Sequence, residues 1–395
     1  MFVLCLIVFI GLTGVGIVIP LFPFFAEKVG ASPVEVTMLM AVFAAGQFVM
    51  APFWGWLSDR VGRKPIFIIT LAGSALSYLF LGLADNLSEL LLSRVFGGLM
   101  AGNIPVAFAA ASDMSDSGSR AKVMGKIGAA FSLGFIFGPA ISGIVAGPDP
   151  DAANFLLVAL VAGSMSVIAL IVTIFSFRET HIPKAQPISV SAFSMQQCLE
   201  TFRSVMHYFS YPVLGALIFM NFVFVSGSSM MDSTFSLYAY KEHGFGPDRI
   251  GFLFTYLGII MAMVQGGAIG PLTKRYGDAY VLRAGMMIYM IGLCLLVISD
   301  GIYSVVFALT WISIGNSLFV PSSSSLVSQY ASADDQGKVI GVFQAAGNLG
   351  RVFTPSFSGY IFAVYGTSAP FVGAVLIVVP AVVLLQVAIH QASVE

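Results

Sequence analysis

The sequence predicts an all-α membrane protein in which twelve transmembrane helices form two pseudo-symmetric six-helix bundles. Three observations carry this. The 395 residues are 58% hydrophobic and 9% charged, with a mean hydropathy of +0.94, outside the range of water-soluble domains. The apolar residues run in continuous stretches near the ~20 residues that a helix needs to cross a bilayer, not in the alternating ~10-residue segments of a barrel strand. Finally, the second half of the chain repeats a pattern found in the first.

In chain order the apolar runs fall at residues 2–25, 36–58, 65–84, 88–112, 121–146, 153–177, 208–240, 247–272, 279–299, 302–328, 337–363 and 368–390. The first starts almost at Met1. It has no basic leader or small-residue cleavage site and ends in PLFPFF, so it reads as a span and not a signal peptide. The longest polar break, residues 178–206, separates six runs from six. Its proline, serine, glutamine and scattered charges read as a linker with a short surface helix at 194–206. The expected organisation is therefore a bundle at 1–177, a linker at 178–206 and a bundle at 207–395.

Lysine and arginine give the orientation. Thirteen of the eighteen fall on the N-terminal side of the membrane: Arg60, Arg63, Lys64, Arg120, Lys122, Lys126, Arg178, Lys184, Arg203, Lys274, Arg275, Arg283 and Lys338. Lys28, Lys241 and Arg249 fall on the other side, and Arg94 and Arg351 lie inside spans. This bias places both termini in the cytoplasm, and a bacterial inner (plasma) membrane is the expected location. A net charge of −1 gives no reason to expect nucleic acid. Cys5, Cys198 and Cys294 lack metal-ligand spacing. No phosphate-binding GxxxxGK[ST] loop and no nucleophile–base constellation appears, so neither metal, cofactor nor enzymatic activity is expected. The expected partners are a small-molecule substrate, protons and membrane lipids, with the chain acting as a monomer.

The repeat is seen by laying VMGKIGAAFSLGFIFGPAISG (123–143) on VIGVFQAAGNLGRVFTPSFSG (339–359). A shift of 216 pairs Gly125 with Gly341, Gly134 with Gly350, Pro139 with Pro355 and Gly143 with Gly359, among others. A shift of 215 lays GWLSDRVG on GPLTKRYG. Two six-helix halves with the same in–out sense are related by an axis along the membrane normal. That is a transporter layout, with the substrate site near the midplane.

The stretch GWLSDRVGRKP, residues 55–65, packs charge between two apolar runs. In a loop those charges are hydrated and hold topology. Gly62 permits a tight turn, and Gly55 is expected to permit close helix approach. Asp59 ends a helix, where the dipole disfavours an acid, so it should find compensation elsewhere. Gly134, Gly138 and Gly143 flatten one face of the fifth run, and Pro139 removes a backbone donor. That combination fits a seal or hinge and fits ordinary tight packing equally.

These residues resemble the major facilitator superfamily. GWLSDRVGRK fills every fixed position of its loop signature GxLxDRxGRK. Gly125, Gly134, Gly138, Pro139 and Gly143 resemble its fifth-helix antiporter signature, with Ser142 in place of one glycine. Gly14, Pro20 and Pro23 are similar to its first-helix pattern. Arg94 with Gly98 is similar to its fourth-helix RxxxG pattern, although Gly97 stands where glutamine is usual. The resemblance covers essentially the whole chain and is nearest to the twelve-helix drug:proton antiporters, which include tetracycline exporters. It implies a cytoplasmic gate built from Gly55, Asp59, Arg60, Gly62, Arg63 and Asp113. In that gate Asp59 meets the start of the eleventh helix near residues 337–340, and Arg63 meets Asp113. Tetracycline exporters carry an aspartate where this chain has Gly11, so that subfamily's assignments do not transfer.

Among the acids, only Asp232 falls inside a span, about 12 Å from the outer end at about 1.5 Å per residue. An ionisable group there is a functional candidate. Asp232 is the first candidate for proton coupling; an aspartate open to outer water, or one paired with Arg94, remains the alternative. Arg94 and Arg351 can neutralise Asp232, bind an anionic substrate or tune proton release, and a structural bond remains open for Arg351. The amides Gln47, Asn103, Asn221, Gln265, Asn316, Gln344 and Asn348, with Phe222 beside Asn221, are candidates to line a cavity. The function implied is a secondary active transporter: a proton-coupled antiporter exporting small amphipathic compounds by alternating access. The alternatives are a proton symporter or facilitator for a polar or anionic metabolite, and a lipid flippase or non-transporting sensor on the same fold.

Overall fold

The computed structural model describes residues 1–115, 120–181, 211–332 and 335–392, and every regular element among them is helical. The expected surface helix at 194–206 lies outside the described residues. The first eight helices are α1 (Phe2–Val18), α2 (Phe22–Lys28), α3 (Pro33–Val61), α4 (Arg63–Gly82), α5 (Leu87–Met100), α6 (Asn103–Asp113), α7 (Arg120–Ala146) and α8 (Phe155–Ser176). Then come Pro212–His243, Pro247–Met263 continuing through Val264–Ala268 to Ile269–Tyr276, Asp278–Val297, Ile302–Tyr330, Gln336–Tyr365 and Ala369–Ala392.

Among the described residues, ten stretches are long and apolar enough to cross a membrane, and α1 with α2, meeting at a 43° bend, makes an eleventh. Gln336–Tyr365, at the expected run 337–363, has 30 residues and is long enough to span. It carries Gln344, Asn348 and Arg351, which lower its apolar content.

Local chemistry sets the ends. Ser32 and Glu35 form a reciprocal capping box at the start of α3: Glu35 donates its N–H to Ser32 Oγ at 3.4 Å, and Ser32 donates its N–H to Glu35 Oε2 at 2.7 Å. Asn86 caps α5 by accepting the Glu89 N–H at 3.0 Å. Gly62, at φ +100°, ends α3 and begins α4, a conformation that L side chains rarely adopt.

Two spans depart from continuous helix. The run at 88–112 breaks at Ala101–Gly102, where Gly102 favours helix weakly and Pro105 lacks the donor that would tie it back to Ala101. The run at 247–272 widens into a π segment at Val264–Ala268. Pro271 would otherwise collide with the carbonyl of Gly267, and widening the turn relieves that contact.

The chain forms two compact units, Met1–Ser189 with Ala239–Gly258, and Val190–Tyr238 with Ile259–Glu395. In the first unit, α1 packs on α7 and α8, and α4 packs on α5 and α8. Leu4, Ile7, Leu12, Phe67, Leu71, Val106 and Ala110 fill its core. In the second unit, Asp278–Val297 lies along Ile302–Tyr330, with Gly285 and Gly315 letting the two backbones meet. Phe224 stacks on Phe319 at 3.6 Å between centroids and contacts the Tyr289 ring at 4.8 Å. Tyr238 donates its hydroxyl to Leu296 O at 2.7 Å.

Candidate functional site: a fastened loop, a glycine seam and buried charges

Arg63 organises the charged loop. Only 5% exposed, it donates from Nε to Asp113 Oδ2 at 2.9 Å and from Nη1 to Ser58 Oγ at 2.6 Å and to Asp59 Oδ1. One guanidinium thus satisfies two carboxylates and a hydroxyl, which its planar fork suits. Glu179 completes the site: its carboxylate accepts the N–H groups of Arg63 at 2.8 Å and Lys64 at 2.9 Å. Burial pushes the Glu179 carboxyl up, but hydrogen bonds from the N–H groups of His181, Lys64, Arg63 and Thr180 outweigh it and hold the group below its usual 4.5. His181 Nε2 lies 3.0 Å from Asp59 O, and Lys64 Nζ donates to Ile174 O at 2.7 Å.

Two expectations for this loop are corrected. Gly55 permits no close approach: a side chain there would meet nothing within 4 Å, and its carbonyl accepts from Ser58 Oγ at 2.7 Å. Arg60 stays outside the Arg63 network. It lies over the Trp56 ring at 4.3 Å, with its Nη1 unpartnered. Glu179 and Ser58 are the residues that sequence reasoning missed. The available signal was Gly62, which has no side chain to cap the helix after it.

The fifth-helix glycines divide their work. A Cβ on Gly134 would lie 2.8 Å from Leu12 Cβ, and one on Gly138 would lie 2.7 Å from Gly16 Cα and Thr13 O. These two glycines seat α1 on α7. Gly143 faces Asp248 instead, with a built Cβ 2.7 Å from its carbonyl oxygen, and one on Gly251 would lie 2.6 Å from Pro139 O. Asp248 also donates its N–H to Gly147 O at 3.1 Å. Gly125 contributes no such contact. Gly16 and Gly251, the reciprocal small residues, were not singled out from the sequence.

In the second unit, Asp232 lies within the helix Pro212–His243 and is exposed, unlike the buried residues on either side of it, and it lies within electrostatic reach of Arg351 and Tyr289. Arg351 is also open, as are Gln344 and Asn348, seven and three residues before it, a spacing that puts all three on one helix face. Asn221 is different. It is buried and donates from Nδ2 to Phe343 O at 2.7 Å, so it ties two helices together and does not line a cavity. Phe222, Gln265 and Asn316 are half-buried in that unit.

In the first unit, Gln47 is half-buried. Asn103 lines a narrow, water-sized crevice with Ile7, Phe67, Ile104 and Phe131, and a Cβ on Gly11 would lie 3.3 Å from Asn103 Nδ2. Arg94 is 6% exposed and forms no ion pair among the described residues, with Asp232 or any other acid. Its carbon Cζ lies 4.8 Å from the Phe22 ring and 5.3 Å from the Phe43 ring.

The family model described as Major Facilitator Superfamily matches residues 4–269 and 217–393. The chain is 28% identical to multidrug resistance protein 2 of Bacillus subtilis over 357 residues, 90% of this chain and 86% of that protein. It is 28% identical to the quinolone resistance protein NorA of Staphylococcus aureus over 365 residues, 92% and 90% respectively. Among solved structures it is similar to the human organic anion transporter MFSD10 (TM-score 0.72, 21% identity, 98% of each chain). It is also similar to the nucleoside transporter NupG (TM-score 0.80, 11% identity, 98% and 99%).

Proposed function

Because this chain belongs to the Major Facilitator Superfamily and is a multi-pass membrane transporter, we propose that it is a proton-coupled antiporter exporting small amphipathic compounds. The observation that carries the reading is Asp232: an exposed acid within an apolar span, in electrostatic reach of Arg351 and on the same unit as the polar face of Gln344 and Asn348. Such a group can take a proton from one side of the membrane and lose it to the other as access alternates. The multidrug and quinolone resistance relatives support export of amphipathic compounds.

In this reading the chain is organised as halves 1–177 and 207–395 joined by the 178–206 segment, with both termini in the cytoplasm of a bacterial cell. The Asp59–Arg63–Asp113 cluster with Glu179 fastens the cytoplasmic loop of the first half, and the Gly143–Gly251 contact lies toward the outer side. Gln47, Asn103, Phe222, Gln265, Asn316, Gln344 and Asn348 remain the proposed substrate contacts, and the chain works as a monomer.

The test is the sign of coupling. In proteoliposomes loaded with ethidium under an imposed pH gradient, antiport moves dye and protons in opposite directions. Co-directional movement, or dye flux indifferent to the gradient, overturns the reading.

A further inference from the structure

Arg94 is a full positive charge in the apolar interior of the first unit, and an unpaired buried charge is costly wherever it stands. Its Nε and Nη2 atoms are both buried and without hydrogen-bond partners among the described residues. These two atoms form one edge of the guanidinium, the edge whose parallel N–H bonds match the two oxygens of a carboxylate. The rings of Phe22 and Phe43 flank the group at 4.8 and 5.3 Å. Tyr78 is its neighbour from α4, and no acid on α2, α3, α4 or α5 reaches it.

We propose that the Nε–Nη2 edge of Arg94 is a binding site for the carboxylate of an aromatic monoanion, whose ring packs against Phe22 and Phe43. A single cation answers a single negative charge, so a monoanion is favoured over a phosphate dianion. Two aromatic walls add affinity for a flat apolar body. Phe22 covers the site from α2, a seven-residue helix set at 43° to α1 beyond Ile19–Leu21. This inference rests on the transport reading only in naming a class of substrate; the site itself is tested by binding.

The experiment titrates purified protein in detergent with 1-naphthoate and with its uncharged analogue 1-naphthamide, by calorimetry. Naphthoate should bind the unmodified protein about tenfold or more tightly than naphthamide, as a charge-assisted bidentate pair requires. Arg94→Gln should abolish that preference. Arg94→Lys, which keeps the charge but loses the fork, should retain only part of it. Equal binding of the two ligands by the unmodified protein overturns the proposal whether or not the variants fold. So does a naphthoate preference that survives in Arg94→Gln, or one lost in Arg351→Gln instead. Naphthoate bound through Arg94 but never moved by a pH gradient would leave the site standing and count against the transport reading.

Discussion

Glu179 closes the amino end of a helix that begins 116 residues before it, its carboxylate accepting the Arg63 and Lys64 N–H groups at 2.8 and 2.9 Å. The first N–H groups of any helix lack internal partners. Here the preceding residue is Gly62, which supplies the turn and has nothing with which to cap. A carboxylate from elsewhere serves instead, and its charge is favourable beside the positive end of the helix dipole. The Arg178–His181 stretch is thereby fastened to the charged loop.

Replacing that cap gives a pH-resolved prediction. Loss of an N-capping acceptor costs about 1 kcal/mol, so Glu179→Gln should lower the melting temperature at neutral pH. The Glu179 carboxyl is held below its usual 4.5 in the folded protein. Its contribution is therefore complete above that value and is lost as pH falls through the lower folded value. Melting curves in detergent should show the two proteins converging in acid. A gap as wide in acid as at neutrality would mean that the ionised carboxylate is not the capping species.

Arg63 answers Asp113, Asp59 and Ser58 at once, so its removal strands the buried Ser58 hydroxyl and the largely covered Asp113 carboxylate, while Asp59 stays open to water. Arg63→Ala should destabilise by about 1–3 kcal/mol and slow transport. Removing Asp113 as well should recover part of the stability, since less is left unpaired. Arg63→Lys should recover little, because a single ammonium cannot reproduce the fork. Thermal unfolding of the unmodified protein, the Arg63→Ala and Asp113→Ala single variants and the double variant, run side by side, decides this; a double loss equal to the sum of the single losses would show that the pair is not coupled.

The glycine seam predicts opposite outcomes for the same substitution. A methyl at Gly251 would sit 2.6 Å from Pro139 O and 2.8 Å from Gly143 Cα, where only backbone can yield. Gly251→Ala should therefore cost about 1–3 kcal/mol. At Gly125 nothing lies within 4 Å, and alanine favours helix over glycine by about 0.5–1 kcal/mol, so Gly125→Ala should be neutral or stabilising. Reversal of that order in a melting experiment would mean that Gly251 does not pack on α7.

How far the sequence carried follows from the range of each interaction. Spans are local: a run of apolar residues forms a helix wherever it lies, and each expected run is found in a helix or a closely joined helix pair. The Arg63–Asp113 pair was legible only because its loop resembles a known signature. Glu179 was not, because a bare glutamate after a span carries no mark of the helix it will cap. Asn221 misled for the same reason, since its partner, the Phe343 carbonyl, belongs to a backbone far along the chain. Gly55 misled by composition: a glycine in an apolar helix suggests an approaching backbone, yet nothing approaches. The break at Ala101–Gly102 was signalled locally by Gly102 and Pro105, but the continuous apolar run outweighed that signal.

Asp232 can be separated from a merely structural acid by what survives its loss. If it carries the proton, Asp232→Asn fixes the group in a neutral state, so the bundles can still exchange one substrate molecule for another while a pH gradient no longer drives net movement. Counterflow of labelled substrate should then persist, while gradient-driven accumulation collapses toward the level of protein-free vesicles. Asp232→Glu keeps the titrating group and should restore gradient-driven transport in part. Arg351→Gln removes the neighbouring positive charge and should move the pH dependence of transport while leaving coupling in place. If counterflow and gradient-driven transport fail together in Asp232→Asn, in protein that elutes as a single folded species, the aspartate holds substrate or structure, and the proton must travel by another group.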